Sequence, residues 1–271
     1  MLEKINVVNI INISIEAGDK ILEVYESADF GVENKSDNSP LTLADKKSND
    51  VITEQLEKLY PEIPILSEEG KHLTYEERKN WEYLWVVDPL DGTKEFIKRN
   101  GEFTVNIALV HNGTPVLGVI YAPVLDTVYF AKQGFGSYKL ENSKEHFDSK
   151  VEESSLVKTA ISLPIQQDRK RTTVIASRSH MSSETEEYIN ELKKEVGEVE
   201  ITSAGSSLKL CLVADGTADV YPRFAPTMEW DTGAGQAIAE LSGAAVTRTD
   251  NGEKLKYNKE NLLNPWFIVK R

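Results

Sequence analysis

The composition is that of a globular chain and argues against a protein that binds nucleic acid. The 271 residues include 44 acidic and 31 basic side chains, which gives a net charge of −13, and 40% of them are hydrophobic. This charge repels nucleic acid and other polyanions, while the hydrophobic content can build one large domain or two packed halves. An anionic ligand would need a local reversal of sign, which carboxylates holding divalent cations provide.

The sequence also bears on the cellular location. It lacks the roughly 20 consecutive apolar residues of a membrane-spanning helix, and its N-terminus has no signal-peptide cleavage pattern. The single cysteine, Cys211, cannot form an internal disulfide. We therefore expect a cytoplasmic protein without a transmembrane segment. Peripheral membrane association stays open, and no oligomeric state is predicted.

The first 60 residues predict helices. Apolar residues recur at intervals of three, four or seven positions, at Val8, Ile11, Ile15, Leu22 and Tyr25. A second helix is predicted from about residue 44 to residue 59. Strands follow, with an apolar run at 84–87, an alternating stretch at 103–109 and two hairpin-like segments after it.

The second half of the chain alternates between predicted strands and helices. Residues 141–170 are polar and are interpreted as a linker or surface excursion. After them we predict strands at TTVIAS, ADVYPR and WFIVK, and helices at 184–196, 206–214 and 232–241. The pattern predicts an α/β (α+β layered) fold of two packed halves, residues 1–150 with most of the candidate site and residues 151–271 with the rest.

The stretch DPLDGT carries the strongest chemical signal. Asp88 follows an apolar strand, and Pro89 is expected to force the chain out of strand pairing, so that Asp88, the Leu90 carbonyl and Asp91 surround one point. Such hard oxygen ligands favour Mg²⁺. Next, Gly92 would let the backbone approach a ligand, and a helix would begin with free N–H groups for a phosphate.

Further carboxylates also lie at the ends of predicted elements. Glu68 and Glu69 follow a strand-like stretch, and Asp231 begins a helix rich in Gly and Ala. Each feature has an ordinary structural alternative: DPLDG is typical of a turn, a Glu-Glu pair of solvated surface, and an aspartate before an apolar helix of an N-cap. Three such features together favour a metal site.

The motifs SEE, DPLDGT and WDTGAG, in this order and spacing, resemble those of the inositol monophosphatase family of metal-dependent phosphatases. The resemblance extends from PLTLAD near residue 40 to WDTGAG and implies a layered αβαβα sandwich. It also implies two or three Mg²⁺ ions, one held by Glu68, Asp88 and the Leu90 carbonyl, and a second by Asp88, Asp91 and Asp231.

The same resemblance implies the catalytic roles. Gly92 and Thr93 would hold the phosphate, Asp45 and Thr93 would orient and deprotonate a water, and Glu68 would act with them. The pattern from Thr42 to Asp45 is also that of a helix capping box, so a structural role for Asp45 stays open.

The stretch from Thr202 to Asp231 is similar to the branch of this family that acts on 3′-phosphoadenosine 5′-phosphate, a by-product of sulfate assimilation. It implies that Ser206, Lys209 and Arg223 surround the 5′-phosphate and sugar, with His180 near the base or phosphate. A solvated Lys209 and a helix-capping His180 are the alternatives. Substrate contacts are implied for Glu68, Leu90, Asp91, Gly92, Thr93, His180, Ser206, Lys209, Arg223 and Asp231.

Other functions stay open at this stage. An inositol monophosphatase would share the metal site, but its substrate with a single phosphate has less use for a second cationic pocket. A protein acting on another phosphate ester would also share the metal site. A non-catalytic protein that senses nucleotide or metal is disfavoured, because the metal carboxylates and the water-activating pair are all present.

Overall fold

The computed structural model describes residues 1–27, 30–34, 40–166, 171–176 and 182–271. After a 3₁₀ turn at Leu2–Lys4, the α-helices of these residues are α1 (Val7–Tyr25), α2 (Leu43–Leu59), α3 (Tyr75–Arg78), α4 (Thr93–Ile97), α5 (Ser143–His146), α6 (Glu153–Thr159), α7 (Ser183–Val196), α8 (Leu208–Ala214) and α9 (Glu229–Leu241). The strands are β1 (Glu33–Asn34), β2 (Pro40–Leu41), β3 (Ile65–Ser67), β4 (Tyr83–Asp91), β5 (Thr104–His111), β6 (Thr114–Ala122), β7 (Thr127–Lys132), β8 (Gly136–Glu141), β9 (Ile161–Ser162), β10 (Thr172–Ala176), β11 (Val199–Ser203), β12 (Val220–Arg223), β13 (Ala245–Arg248) and β14 (Phe267–Lys270).

Two sheets organise the described part of the chain. The larger has seven strands in the order β3-β4-β5-β6-β7-β8-β9, and the smaller has five in the order β11-β10-β12-β14-β13. In the larger sheet β3 runs parallel to β4 and the other neighbours are antiparallel. In the smaller sheet β10 runs parallel to both β11 and β12.

Helices and sheets alternate in five layers. Helices α1 and α2 cover one face of the larger sheet, α8 and α9 lie between the two sheets, and α7 covers the outer face of the smaller sheet. Because β4 and β5 are covered on both faces, nearly all of their residues are buried. The predicted layered αβαβα sandwich is confirmed.

Within the described ranges, no helix is long and apolar enough to cross a membrane.

The interpretation of residues 141–170 as a linker or surface excursion is wrong for part of that stretch. It contains α5, α6 and β9, and β9 pairs with β8 to extend the larger sheet. Leu156 of α6 is 2% exposed and belongs to the core beside α1. These elements are too short to produce a periodic apolar pattern, which explains why the sequence did not indicate them. The division at residue 150 stays a prediction.

Gly118 sets how closely α9 approaches the larger sheet. A Cβ atom at this position would lie 2.3 Å from the Ala234 carbonyl oxygen of α9. Gly118→Ala is therefore expected to lower the free energy of unfolding in urea by about 3 kcal/mol, the upper range for overpacking a core. Gly243→Ala meets open space at φ +94° and is expected to cost only about 1 kcal/mol of backbone strain. Equal losses would contradict the close approach.

Candidate active site

Part of the DPLDGT stretch forms a β-bulge of β4. Asp88 pairs with Asn106 of β5 and Asp91 pairs with Thr104, so the register shifts between the two aspartates. The predicted loss of pairing at Pro89 is therefore confined to the bulge, and the expectation that the strand ends there is wrong. The bulge accommodates Pro89, which has no N–H to donate, and pairing resumes at Asp91. Within the bulge the Leu90 N–H donates to Asp88 Oδ1 at 3.1 Å.

Carboxylates from three elements meet beside this bulge. Glu68 follows β3, whose neighbour β4 is parallel, and its N–H donates to the Val87 carbonyl at 3.1 Å. Asp231 lies in the first turn of α9, where Oδ2 accepts the Met228 N–H at 2.9 Å. One ligand oxygen from each of Glu68, Asp88 and Asp231 lies within 4.8 Å of the others. The described cluster contains Glu68 but not Glu69.

The protonation equilibria show that these carboxylates repel one another. Burial raises the pKa of Asp88 well above its usual value, and the negative charges of Glu68 and Asp91 raise it further. The pKa of Asp91 rises to about 6, first because the group is buried, although Lys209 opposes the shift. Burial and Asp91 raise the pKa of Asp231. A group of hard oxygen donors with excess negative charge, buried at Asp88 and half-buried at Glu68 and Asp231, fits divalent cations of the Mg²⁺, Ca²⁺ or Mn²⁺ type.

Asp45 makes the capping contacts and a contact to the candidate site at the same time. Its Oδ2 accepts the Thr42 N–H at 2.7 Å and the Thr42 hydroxyl at 2.6 Å. Its Oδ1 accepts the Thr93 hydroxyl at 3.3 Å. Asp45 therefore has the capping role that the sequence left open, and its second carboxylate oxygen is directed at Thr93. Asp45 is 2% exposed, so its position is well fixed.

Gly92 joins the bulge to α4 and has a φ of +93°, which disfavours a side chain. A Cβ atom there would lie 3.2 Å from Ser206 Cβ and 3.2 Å from the Glu102 carbonyl oxygen. Gly92 therefore lets the loop after β11 pack directly against the end of β4.

The ends of the parallel strands in the smaller sheet form the other side of the site. The chain passes from β10 to β11 on one side and then to β12 on the other side of β10, which is a topological switch point. Open α/β sheets bind ligands at the carboxyl ends of strands at such points. Here the loop after β11 and the end of β12 line a cavity of about 120 Å³ together with Asp91 and Asp231.

The predicted phosphate-binding cations line this cavity. Lys209 is only 6% exposed, so it is not a solvated helix residue. Its Nζ donates to the carbonyls of Ser206 at 2.7 Å and Ala204 at 3.3 Å, and burial lowers its pKa to about 8. Arg223 Nη2 donates to the Pro226 carbonyl at 2.9 Å, while its buried Nε has no partner among the described residues.

One predicted site residue lies outside the described part of the chain, and two residues of the cavity were not predicted. His180 lies outside the described residues, so its predicted role is unchanged. Glu95 and Tyr221 line the cavity although the sequence argument did not select them. The sequence could have indicated Tyr221, because side chains alternate along a strand and residues 221 and 223 therefore lie on the same face. Glu95 had no comparable signal.

The comparisons with known proteins agree with this arrangement. The model of the inositol monophosphatase family matches residues 1–266. The 3′(2′),5′-bisphosphate nucleotidase CysQ of Salmonella typhimurium is 48% identical over 93% of this chain and 94% of the relative, and that of Escherichia coli O157:H7 is 47% identical over the same shares. The crystal structure of CysQ from Bacteroides thetaiotaomicron, 53% identical, superimposes with a TM-score of 0.88 over 96% of this chain and 94% of that one. This chain therefore belongs to the inositol monophosphatase family.

Proposed function

We propose that this protein is a Mg²⁺-dependent 3′(2′),5′-bisphosphate nucleotidase that removes the 3′-phosphate of 3′-phosphoadenosine 5′-phosphate and leaves AMP. The observation that carries the proposal is one cavity lined both by the carboxylates Asp91 and Asp231 and by the cations Lys209 and Arg223. A substrate with two phosphates needs both kinds of group, whereas a simple monophosphate needs only the carboxylates and their cations. The names of the relatives that are 47% and 48% identical support the same activity.

The metal-binding residues are proposed in two sets. Glu68, Asp88 and the Leu90 carbonyl would hold one Mg²⁺, and Asp88, Asp91 and Asp231 would hold a second. The pKa values of Asp88, Asp91 and Asp231 are raised, and bound cations would lower them by balancing the negative charge. When bound, such cations neutralise the phosphate and make water a stronger nucleophile.

Asp45 and Thr93 are proposed to prepare the attacking water. Because Asp45 Oδ2 is committed to the cap at Thr42, its Oδ1 is the atom directed at the Thr93 hydroxyl. A water hydrogen-bonded to this hydroxyl would be oriented toward the phosphorus, and Asp45 would receive its proton. Gly92 and Thr93 would hold the phosphate itself, and no covalent intermediate is needed.

The second phosphate is proposed to lie against Ser206, Lys209 and Arg223. Arginine offers a planar fork of donors and lysine a single charged donor, and the two together favour a dianion. Burial of Lys209 excludes water from the contact and strengthens it. His180 remains a proposed contact to the base or to this phosphate.

Phosphate release with Mg²⁺ tests the proposal directly. Three substrates should be compared, each with a chelator control: 3′-phosphoadenosine 5′-phosphate, inositol 1-phosphate and fructose 1,6-bisphosphate. We expect a strong preference for the nucleotide and no release after chelation. A preference for inositol 1-phosphate would keep the metal chemistry and refute the nucleotide assignment. No release from any of the three would refute this phosphatase activity.

A further inference from the structure

A buried polar chain connects β4 to the loop that carries Ser206. Thr104 and Asn106 of β5 are 0% and 1% exposed and lie opposite the two aspartates of β4. Val105 and Ile107, which alternate with them along the strand, face the core on the α1 side of the sheet. Thr104 and Asn106 therefore place polar groups on the face toward the middle layer, where burial is costly unless each group is hydrogen-bonded, and the Asn106 Nδ2 has no partner among the described residues.

The Ser207 hydroxyl forms hydrogen bonds with both of these side chains. Its hydroxyl donates to Asn106 Oδ1 at 2.8 Å and forms a second hydrogen bond with the Thr104 hydroxyl at 2.8 Å. The Thr104 hydroxyl also approaches the Ser206 hydroxyl at 3.4 Å. The Ser207 N–H lies against the Asp91 carboxylate and opposes the rise in its pKa. Ser207 thus contacts β4 through Asp91 and β5 through two side chains.

The turn held by this chain is conformationally unfavourable. Ser206 has a φ of +45°, which non-glycine residues adopt only when their surroundings impose it. Lys209 Nζ holds the same turn from the other side by bonding to the Ser206 carbonyl at 2.7 Å. Ser206 and Lys209 line the cavity, so any movement of the turn would change where a second phosphate is held.

We propose that Thr104 and Asn106 are positioning residues that fix the Ser206–Ser207 turn against Asp91, and so set the distance between the reacting phosphate and the second phosphate. This rests on the proposed bisphosphate activity. Neither residue touches substrate. Their effect passes through Ser207, and it favours substrates whose two phosphates match one separation over monophosphate esters, which do not reach the turn.

Thr104→Val tests the inference because it removes the hydroxyl with little change of shape. We expect it to raise the KM for 3′-phosphoadenosine 5′-phosphate and the Kd for AMP about tenfold, the effect of one lost buried hydrogen bond. The effect on kcat/KM for p-nitrophenyl phosphate should be much smaller. Thr104→Ser keeps the hydroxyl and is expected to restore both constants. AMP binding is measured by calorimetry, which separates it from turnover.

Ser137→Ala is the matched control. This residue is 2% exposed, and its hydroxyl also joins the larger sheet to the middle layer, through the Ile238 carbonyl at 3.0 Å. It is expected to lower stability without changing the ratio between the two substrates. A second check combines Thr104→Val with Ser207→Ala, which remove the same hydrogen bond and should therefore be less than additive in AMP binding.

The outcomes separate the two proposals. If the wild-type protein shows no preference for the bisphosphate, the proposed function fails. If that preference is present and Thr104→Val changes the two substrates equally, or Thr104→Ser behaves like Thr104→Val, the positioning role alone is refuted. A selective loss in Thr104→Val with recovery in Thr104→Ser supports it.

Discussion

Asp88→Asn is expected to lower turnover by about a thousandfold or more while leaving the fold intact. Asp88 is the carboxylate proposed to be shared by both cations, so its loss would remove a ligand from each of them. The substitution suits the test because asparagine keeps the oxygen that accepts the Leu90 N–H at 3.1 Å. Phosphate release at saturating Mg²⁺ is the measurement, and a rate near wild type would refute the bridging role.

The same variant has a signature in stability. Burial, followed by Glu68 and the other carboxylates, raises the pKa of Asp88 in the folded state. A folded-state pKa above the unfolded value means that ionisation destabilises the fold, so the penalty is present at neutral pH and disappears as the pH falls. Without cations the variant is therefore expected to melt at or above the wild-type temperature.

Added Mg²⁺ extends this comparison. It should raise the Tm of the wild-type protein and have much less effect on Asp88→Asn, because ligands that bind only the folded state stabilise it. Asp148→Asn, an exposed substitution, is the control and should respond as the wild type does. An equal Mg²⁺ response in Asp88→Asn and the wild type would show that Asp88 does not hold the cation.

The α/β class and the candidate carboxylates were accessible from local signals in the sequence, and the layered sandwich and the ligand sets from the resemblance of its motifs to those of a known family. The aspartates of DPLDGT and Asp231 lie at the ends of elements that periodicity defines, and the structure brings Glu68, Asp88 and Asp231 together. For Asp45 the sequence left capping and catalysis as alternatives, and the structure uses one oxygen for the cap and directs the other to Thr93.

Features that depend on tertiary packing were not accessible. Lys209 was open to interpretation as a solvated residue, since burial in a cavity wall depends on how the smaller sheet meets α8. The bulge at Pro89 was misjudged, because proline ends pairing at one residue but does not prevent the strand from pairing again at Asp91. Thr104 looked like an ordinary strand residue, and only the contact with Ser207 distinguishes it.

Arg223→Ala is expected to raise the KM for 3′-phosphoadenosine 5′-phosphate about a hundredfold, the usual size for losing hydrogen bonds between charged groups. Among the described residues the Arg223 Nη2 donates to the Pro226 carbonyl at 2.9 Å, and the buried Nε has no partner. Because Arg223 lines the cavity, its guanidinium is placed to bind an anionic ligand there.

The effect should depend on the substrate. In the proposed arrangement a simple monophosphate ester lies away from Arg223, so its kcat/KM should fall by less than about threefold, the loss of a weak long-range charge interaction. Arg223→Lys should be intermediate, because it keeps the charge but loses the planar fork. Arg171→Ala removes an equal charge at an exposed position paired with Glu198 and should change neither substrate. Equal losses for the two substrates in Arg223→Ala would mean that this residue supports the cavity and does not recognise the second phosphate.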